Sequence, residues 1–141
     1  MAKHIKLIIA GGRDFTAPGD NDLNWHTMCQ ALRTFRDEHG DPHYIVCGMA
    51  RGADLLGKQW AEYADIPVRE FPAKWRDEHG RLDKAAGHKR NDVMAKVGTH
   101  LIAFWDGESK GTHDMIKRAR KRGLHVTVIY YNQPKDVKTL W

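Results

Sequence analysis

The sequence predicts a doubly wound α/β fold, in which helices cover both faces of a sheet of about five mainly parallel strands. Short β-branched apolar runs alternate along the chain with amphipathic helical patterns, as they do in parallel sheets. The first run, Ile5 to Ala10, is nearly all apolar, which is typical of a strand buried on both faces. Polar loops that contain glycine follow three of the runs, at the edge where ligands bind in such folds.

Five strands and four helices are predicted in alternation. The strands span residues 5–10, 44–47, 66–71, 100–105 and 125–131. The helices span about 24–39, 55–64, 87–97 and 112–122, with Asp22 or Asn24 as the first N-cap. Residues 72–87 are charged and interrupted, and they indicate a loop or lid beside the sheet. Its Lys74, Trp75 and Arg76 are either solvated or able to contact an anion and a base.

Length and composition bound the class of protein. The chain has 141 residues, enough for one domain with a buried core, of which residues 132–141 form a C-terminal tail. It contains no run of 18 apolar residues and no signal-peptide pattern, so we expect no membrane association. Cys29 and Cys47 lie in different predicted elements, which favours reduced thiols and a cytoplasmic protein. The net charge of +5 favours anionic partners, whether nucleotides or nucleic acid strands.

The first glycine loop, GGRDF at residues 11–15, directly follows the first strand. Gly11 and Gly12 let the backbone approach a ligand closely. Arg13 can reach a phosphate, Asp14 can accept a hydrogen bond from a hydroxyl, and Phe15 completes the motif. The alternative is a glycine turn in which Arg13 and Asp14 form a local ion pair.

The second loop, GMARGAD at residues 48–54, repeats this layout after the second strand. Arg51 offers a guanidinium fork for phosphate. Asp54 either caps the next helix or accepts from a ribose hydroxyl. Four small residues keep the loop low, so that a flat ligand can lie across it: Gly48, Ala50, Gly52 and Ala53.

The third loop lies in the stretch LIAFWDGESKGT at residues 101–112, which runs from the fourth strand into the fourth helix. Amides at a helix start lack intrahelical partners and carry partial positive charge, so they suit a phosphate. An ordinary strand-to-helix turn is the alternative. The candidate ligand contacts are Trp105, Asp106, Gly107, Ser109, Gly111 and Thr112.

The three loops are expected to share one edge of the sheet, because each follows the carboxyl end of a strand. Their convergence predicts a phosphorylated small ligand, most simply a nucleotide. A P-loop motif and a GxGxxG fingerprint are both absent, and the nine histidines form no clear metal set. Ser109 is the only serine and lacks a G-x-S-x-G elbow, which argues against a serine nucleophile. No metal is expected, and no cofactor is required.

Four motifs together carry a resemblance to a known family. GGRDF at 11–15, GMARGAD at 48–54, Arg90-Asn91 with Met94, and AFWDGESKGT at 103–112 occur in this order. The set resembles the SLOG superfamily, named after the Smf/DprA and LOG proteins, and within it the small YspA-like branch related to YpsA. The resemblance covers about Ile5 to Ile129 and implies a Rossmann-like domain that binds a nucleotide or a nucleotide-derived ligand. It adds Arg90 and Asn91 to the candidate contacts. Phages also carry such genes.

LOG-type enzymes cleave the N-glycosidic bond of nucleoside 5′-monophosphates, and this chain matches their pattern only in part. Arg90 matches their arginine, and Gly111-Thr112 match their Gly-Thr pair. Met115 occupies the position of their glutamate, and Asp114 is one residue away, about 100° around a helix. Arg90, Asp14 and Asp106 therefore remain the candidate catalytic residues.

Three functions are compatible with these features. The first is binding of a nucleotide such as AMP, ADP-ribose or a cyclic relative, as a sensor or processing domain. The second is hydrolysis of a glycosidic or phosphate bond of a nucleotide. The third is single-stranded nucleic acid binding, as in DprA, for which the basic cluster at 117–122 is the candidate surface, or else an ordinary solvated face. Homo-oligomers are also expected, because relatives in the superfamily commonly form dimers.

Overall fold

A computed structural model describes residues 4–16 and 23–132 of the chain. Within these residues five strands and four helices alternate along the chain. They are β1 (Lys6–Gly11), α1 (Leu23–His39), β2 (Tyr44–Cys47), α2 (Ala53–Tyr63), β3 (Val68–Glu70), α3 (Ala86–Val97), β4 (His100–Trp105), α4 (Lys110–Lys121) and β5 (His125–Tyr130).

The strands form one sheet in the order β3-β2-β1-β4-β5, and every neighbouring pair is parallel. The chain therefore moves outwards from β1 to β3, returns to the centre, and continues outwards through β4 and β5. The direction of winding reverses between β1 and β4, which leaves a crevice at their carboxyl ends. The predicted doubly wound α/β fold is confirmed.

The central strand β1 explains why the sequence folds this way. Its side chains alternate between two separate apolar cores, one on each face of the sheet. Leu7 and Ile9 pack with α1 and α2, whereas Ile8 and Ala10 pack with α3 and α4. Burial of each aliphatic side chain stabilises the fold by roughly 1.5–3 kcal/mol. A strand with apolar residues at successive positions is stable only with helices on both sides.

Several element bounds differ from the sequence predictions. The strand β3 is shorter than 66–71, because Asp65 adopts a φ of 58° and the Ile66 amide bonds to Ala61 O at 2.8 Å. The helix α4 begins at Lys110, two residues earlier than expected. Asn24 lies inside α1, where its side-chain amide donates to Thr16 O at 2.8 Å, so it is not the N-cap. Asp22 and the tail beyond residue 132 lie outside the described residues.

Residues 71–85, between β3 and α3, form an irregular wall beside the carboxyl edge of the sheet. An isolated antiparallel bridge joins Arg76 to Leu82. Asp77 closes the turn between them, since its Oδ1 accepts from the amides of His79 at 2.9 Å and Arg81 at 2.8 Å. No helix among the described residues is long and apolar enough to cross a membrane.

Candidate functional site

A cavity of about 1000 Å³ opens at the switch point between β1 and β4. Its walls come from the loops after β1, β2 and β4, from the 71–85 segment, and from the first turns of α3 and α4. The three glycine loops do share this edge of the sheet. Fourteen of the predicted contacts line the cavity: Gly11, Gly12, Arg13, Asp14, Gly48, Ala50, Arg51, Asp54, Arg90, Asn91, Asp106, Ser109, Gly111 and Thr112.

Backbone hydrogen bonds hold the three loops together. The Gly12 amide donates to Phe104 O at 3.1 Å, and the Ala53 amide donates to Gly12 O at 3.1 Å. Gly52 has a φ of +95°, and a Cβ at this position would lie 2.1 Å from Gly12 O. The close approach of the first two loops therefore requires glycine at position 52.

The backbone amides after β4 fall into two groups, those that bond to Asp106 and those of the first turn of α4. Asp106 Oδ1 accepts from the amides of Glu108 at 2.8 Å and Ser109 at 2.7 Å. Both hydrogen bonds lower the pKa of Asp106, and the bond from Ser109 has the larger effect. The amides of residues 110–112 precede the His113 to Ser109 bond of 3.1 Å that begins the α4 ladder. The amides suited to an anion are therefore those of the first helical turn.

Arg90 and Asp54 enclose Gly48, the glycine that follows β2. Arg90 Nη1 donates to Gly48 O, and its Nε donates to Asn91 Oδ1 at 3.1 Å. Asp54 accepts from the Ala50 amide at 3.3 Å and is buried. Burial raises the pKa of Asp54 to about 6, against the lowering effects of Arg90 and nearby amides. A Cβ on Gly48 would lie 2.7 Å from both side chains, which explains the glycine.

Asn91 connects α3 to the start of α4. Its side-chain amide donates to Gly111 O at 3.3 Å and to Asp114 Oδ2 at 3.0 Å. Asp114 also accepts from Arg118 Nε at 2.9 Å and lies 2.9 Å from His88 Nδ1. Asn91 is buried although it is polar, because both protons of its amide have an acceptor.

Asp14 is held by the chain segment that follows β5. Tyr131 donates its phenolic proton to Asp14 Oδ1, and Asn132 Nδ2 donates to Asp14 Oδ2 at 3.2 Å. Burial and the Asp14 carboxylate raise the pKa of Tyr131. These two partners replace the local ion pair with Arg13 that the sequence left open.

The comparison with known families gives one match. A family model described as the YspA, cpYpsA-related SLOG family matches residues 5–78, just over half of the chain. The chain belongs to this SLOG family. The matched span contains the first two glycine loops and ends before α3, so Arg90 and the third loop lie outside it. No curated protein is similar enough to the chain to count as a match.

Five predicted contacts of this SLOG chain do not line the cavity. Phe15 is fully buried and stacks on Phe104 at 4.4 Å between ring centroids, and Ala53 is also in the core. Gly52 faces the backbone of the first loop. Trp105 donates from Nε1 to Ser109 O at 3.0 Å and stacks on His113. Gly107 is exposed in the turn, with a φ of +88°. These residues support the conformation of the loops without lining the cavity.

The SLOG cavity also contains residues that sequence reasoning missed or left open. Trp75 lines it, whereas Lys74 does not, and Arg76 donates to Gly80 O at 3.3 Å. Any helix that precedes a parallel strand starts at the carboxyl edge, and this rule could have identified the first turn of α3. The additional lining residues are Ala10, Met49, Pro72, Ala73, Lys84, Gly87, His88, Met94 and Met115.

Metal ligation finds no support in the side chains of residues 4–16 and 23–132. No group of three or more histidine, cysteine, aspartate or glutamate side chains is arranged there to hold an ion. Cys47 is buried and bonds through Sγ to Asp54 O at 3.4 Å. Burial raises the pKa of Cys47 to about 11, so this thiol is not poised as a nucleophile.

Proposed function

We propose that the protein binds a nucleotide or a nucleotide-derived ligand in this cavity, as a sensor or processing domain. The observation that carries the proposal is the convergence of three glycine loops on one cavity of about 1000 Å³ at the switch point. A cavity of this size accommodates a small phosphorylated ligand. Membership of the SLOG family supports the proposal, because it suggests a nucleotide-related function.

Part of the cavity lining is suited to phosphate. Arg13 and Arg51 are exposed and line the cavity, and both guanidinium groups can form paired hydrogen bonds with a phosphate. The first-turn amides of α4 contribute donors and the positive end of the helix dipole. Lys84 adds a third exposed cation to the lining. These groups together favour one or more phosphates.

Another part of the lining is suited to a base. Trp75 is 45% exposed, and its ring lies 3.4 Å from the position of a Cβ on Gly87. The Asp83 amide donates to Trp75 O at 2.7 Å, which fixes the backbone beneath the ring. Stacking of a nucleobase on an aromatic side chain contributes about 1–3 kcal/mol. We therefore expect the base on Trp75 and the phosphate near the arginines.

Calorimetry tests this proposal with AMP, ADP, ADP-ribose and ribose 5-phosphate. Arg51→Ala is expected to weaken nucleotide affinity by about 10- to 100-fold, since a charge-assisted hydrogen bond contributes about 1.5–3 kcal/mol. Arg120→Ala removes the same charge from the far, exposed end of α4 and should leave the affinity unchanged. Trp75→Ala should weaken AMP but not ribose 5-phosphate. Failure of all four ligands to bind would contradict the proposal.

Nucleotide hydrolysis is the second candidate. It is favoured by the carboxylates and the histidine that surround the cavity, Asp14, Asp54, Asp106 and His88. Cleavage of a glycosidic bond in the LOG manner has less support, because buried Met115 stands where those enzymes have glutamate. Asp114, the nearest carboxylate in sequence, bonds to Arg118 and does not line the cavity.

Nucleic acid binding has the least support. The basic cluster at 117–122 lies at the C-terminal end of α4, whereas the cavity lies at its N-terminal end. Two of its cations are paired, since Arg122 Nη2 lies 3.0 Å from Asp92 Oδ1 and Arg118 Nε lies 2.9 Å from Asp114 Oδ2. Undetectable or salt-insensitive binding of single strands would remove this candidate.

A further inference from the structure

His88 is a cavity residue with a fixed hydrogen-bond partner. It lies in the first turn of α3, lines the cavity, and has a side chain that is 53% exposed. Its Nδ1 is 2.9 Å from Asp114 Oδ1. Asp114 is not part of the cavity lining, so the partner of Nδ1 lies outside the cavity, and Nε2 is the ring nitrogen left for a ligand.

Asp114 determines which nitrogen of His88 carries the proton. Its carboxylate is mostly buried and accepts from Asn91 Nδ2 at 3.0 Å and Arg118 Nε at 2.9 Å. Burial raises the pKa of Asp114, but the bonds from Asn91, Arg118 and His88 outweigh it and hold the pKa below its ordinary value. Because an ionised carboxylate only accepts, neutral His88 must donate from Nδ1. Nε2 then has a free lone pair, as in histidine–aspartate catalytic pairs.

The pair lies beside the position expected for phosphate. Asn91 bonds to both Asp114 and Gly111 O, and Gly111 belongs to the first turn of α4. An anion bound to the amides of that turn would therefore lie on α4, the same helix that carries Asp114, the partner of His88. Among charged groups, α4 contributes Asp114 and Arg118, and Lys84 lines the same cavity from the 71–85 segment.

The three catalytic candidates from the sequence each have a structural partner instead. Arg90 bonds to Gly48 O, Asp14 accepts from Tyr131 and Asn132, and Asp106 closes its own turn. His88 differs from them because its ring lines the cavity with only one of its two nitrogens bonded to a described residue.

We infer that His88, oriented by Asp114, is a general base for hydrolysis of a phosphate bond in the bound nucleotide. Nε2 takes one proton from water as the water oxygen forms a bond to phosphorus. The P–O bond to the leaving group breaks on the opposite side of the phosphorus, with its electron pair on the leaving oxygen. The leaving oxygen takes a proton from solvent, and protonated His88 releases its proton to solvent. One water is consumed. A nucleoside monophosphate gives a nucleoside and inorganic phosphate, and a nucleoside diphosphate gives a monophosphate and inorganic phosphate. This inference rests on the proposed function, because it needs the nucleotide in the cavity.

Phosphate release from nucleoside mono- and diphosphates by the full chain tests the inference. His88→Asn keeps a donor near Nδ1 but lacks Nε2, so kcat should fall by about 10²- to 10⁴-fold. Calorimetric Kd values should change little. The matched control is His79→Asn, an exposed histidine outside the cavity lining. Added imidazole should partly restore the activity of His88→Ala.

Asp114→Asn provides a second arm. It should lower kcat without abolishing nucleotide binding, and a thermal melt shows whether the α3–α4 contact is intact. Nucleotide binding without phosphate release by the wild type would overturn this inference and leave the proposed function standing. Equal turnover by wild type and His88→Asn would also overturn it. Failure to bind any nucleotide would refute the proposed function itself and this inference with it.

Discussion

Replacement of Asp54 by asparagine should change how the stability of the protein depends on pH. Burial raises the pKa of Asp54 to about 6 in the folded chain, from an ordinary value of 3.8 that applies when the chain is unfolded. The folded state therefore binds a proton more readily between these pH values. Each pKa unit corresponds to 1.36 kcal/mol, so the carboxylate costs about 3 kcal/mol of stability at pH 7. Protonation of Asp54 in the folded chain therefore stabilises the fold. This stabilisation is fully present below pH 3.8 and is lost as the pH rises through about 6.

Urea unfolding of wild type and Asp54→Asn at pH 4 and pH 7 measures this effect. Other carboxylates titrate alike in both proteins, so their contributions cancel in the difference. The free energy of unfolding of Asp54→Asn, relative to wild type, should rise by about 2–3 kcal/mol from pH 4 to pH 7. Loss of the hydrogen bond from the Ala50 amide changes the free energy of unfolding equally at both pH values, so it does not affect this comparison. A difference that is the same at both pH values would refute the reasoning, since Asp54 would then titrate as if in water.

Four further substitutions test the roles of the first and third loops. Gly12→Ala should lower stability by about 1.5–3 kcal/mol in urea unfolding, because its Cβ would lie 1.6 Å from Tyr131 Oη and break the bond to Asp14. Gly111→Ala is the matched control: its Cβ meets no atom within 4 Å, and stability should rise by up to about 1 kcal/mol. Phe15→Ala should cost about 3–5 kcal/mol, whereas Phe15→Leu should cost less and leave nucleotide affinity unchanged. Loss of affinity without loss of stability in Phe15→Leu would restore Phe15 as a ligand contact.

The fold was predictable because its signals are local. Five apolar runs and four amphipathic patterns alternate, and β1 is apolar at successive positions because both of its faces are covered. The loops were predictable for a related reason, since Gly11-Gly12 and Gly52 lie where backbones approach one another closely. Element ends were less accurate, as at Asn24, because a side chain that can cap a helix can also bond elsewhere.

The site was harder to predict because a motif does not say which side of the backbone a residue faces. Phe15 and Ala53 belong to the loop motifs, yet both side chains point into the core that supports the loops. Asp106 lines the cavity as predicted, and it also accepts from amides of its own loop, which the motif did not indicate. The pairing of His88 with Asp114 joins residues from two helices, and no periodicity in the sequence reveals it.

The remaining interpretations from the sequence stay predictions. Homo-oligomerisation and a cytoplasmic location rest on the resemblance and on the two cysteines, respectively. The identity of the nucleotide depends on which phosphates the arginines contact and on how the base meets Trp75.

A native mass spectrum of the freshly purified protein, before and after incubation with AMP, ADP and ADP-ribose, tests the central claim most directly. We expect an adduct with the mass of one nucleotide per chain, retained from the cell or formed on incubation. Arg51→Ala should lose much of it, and Arg120→Ala should keep it. A spectrum that contains only the bare polypeptide under all of these conditions would contradict nucleotide binding in the cavity.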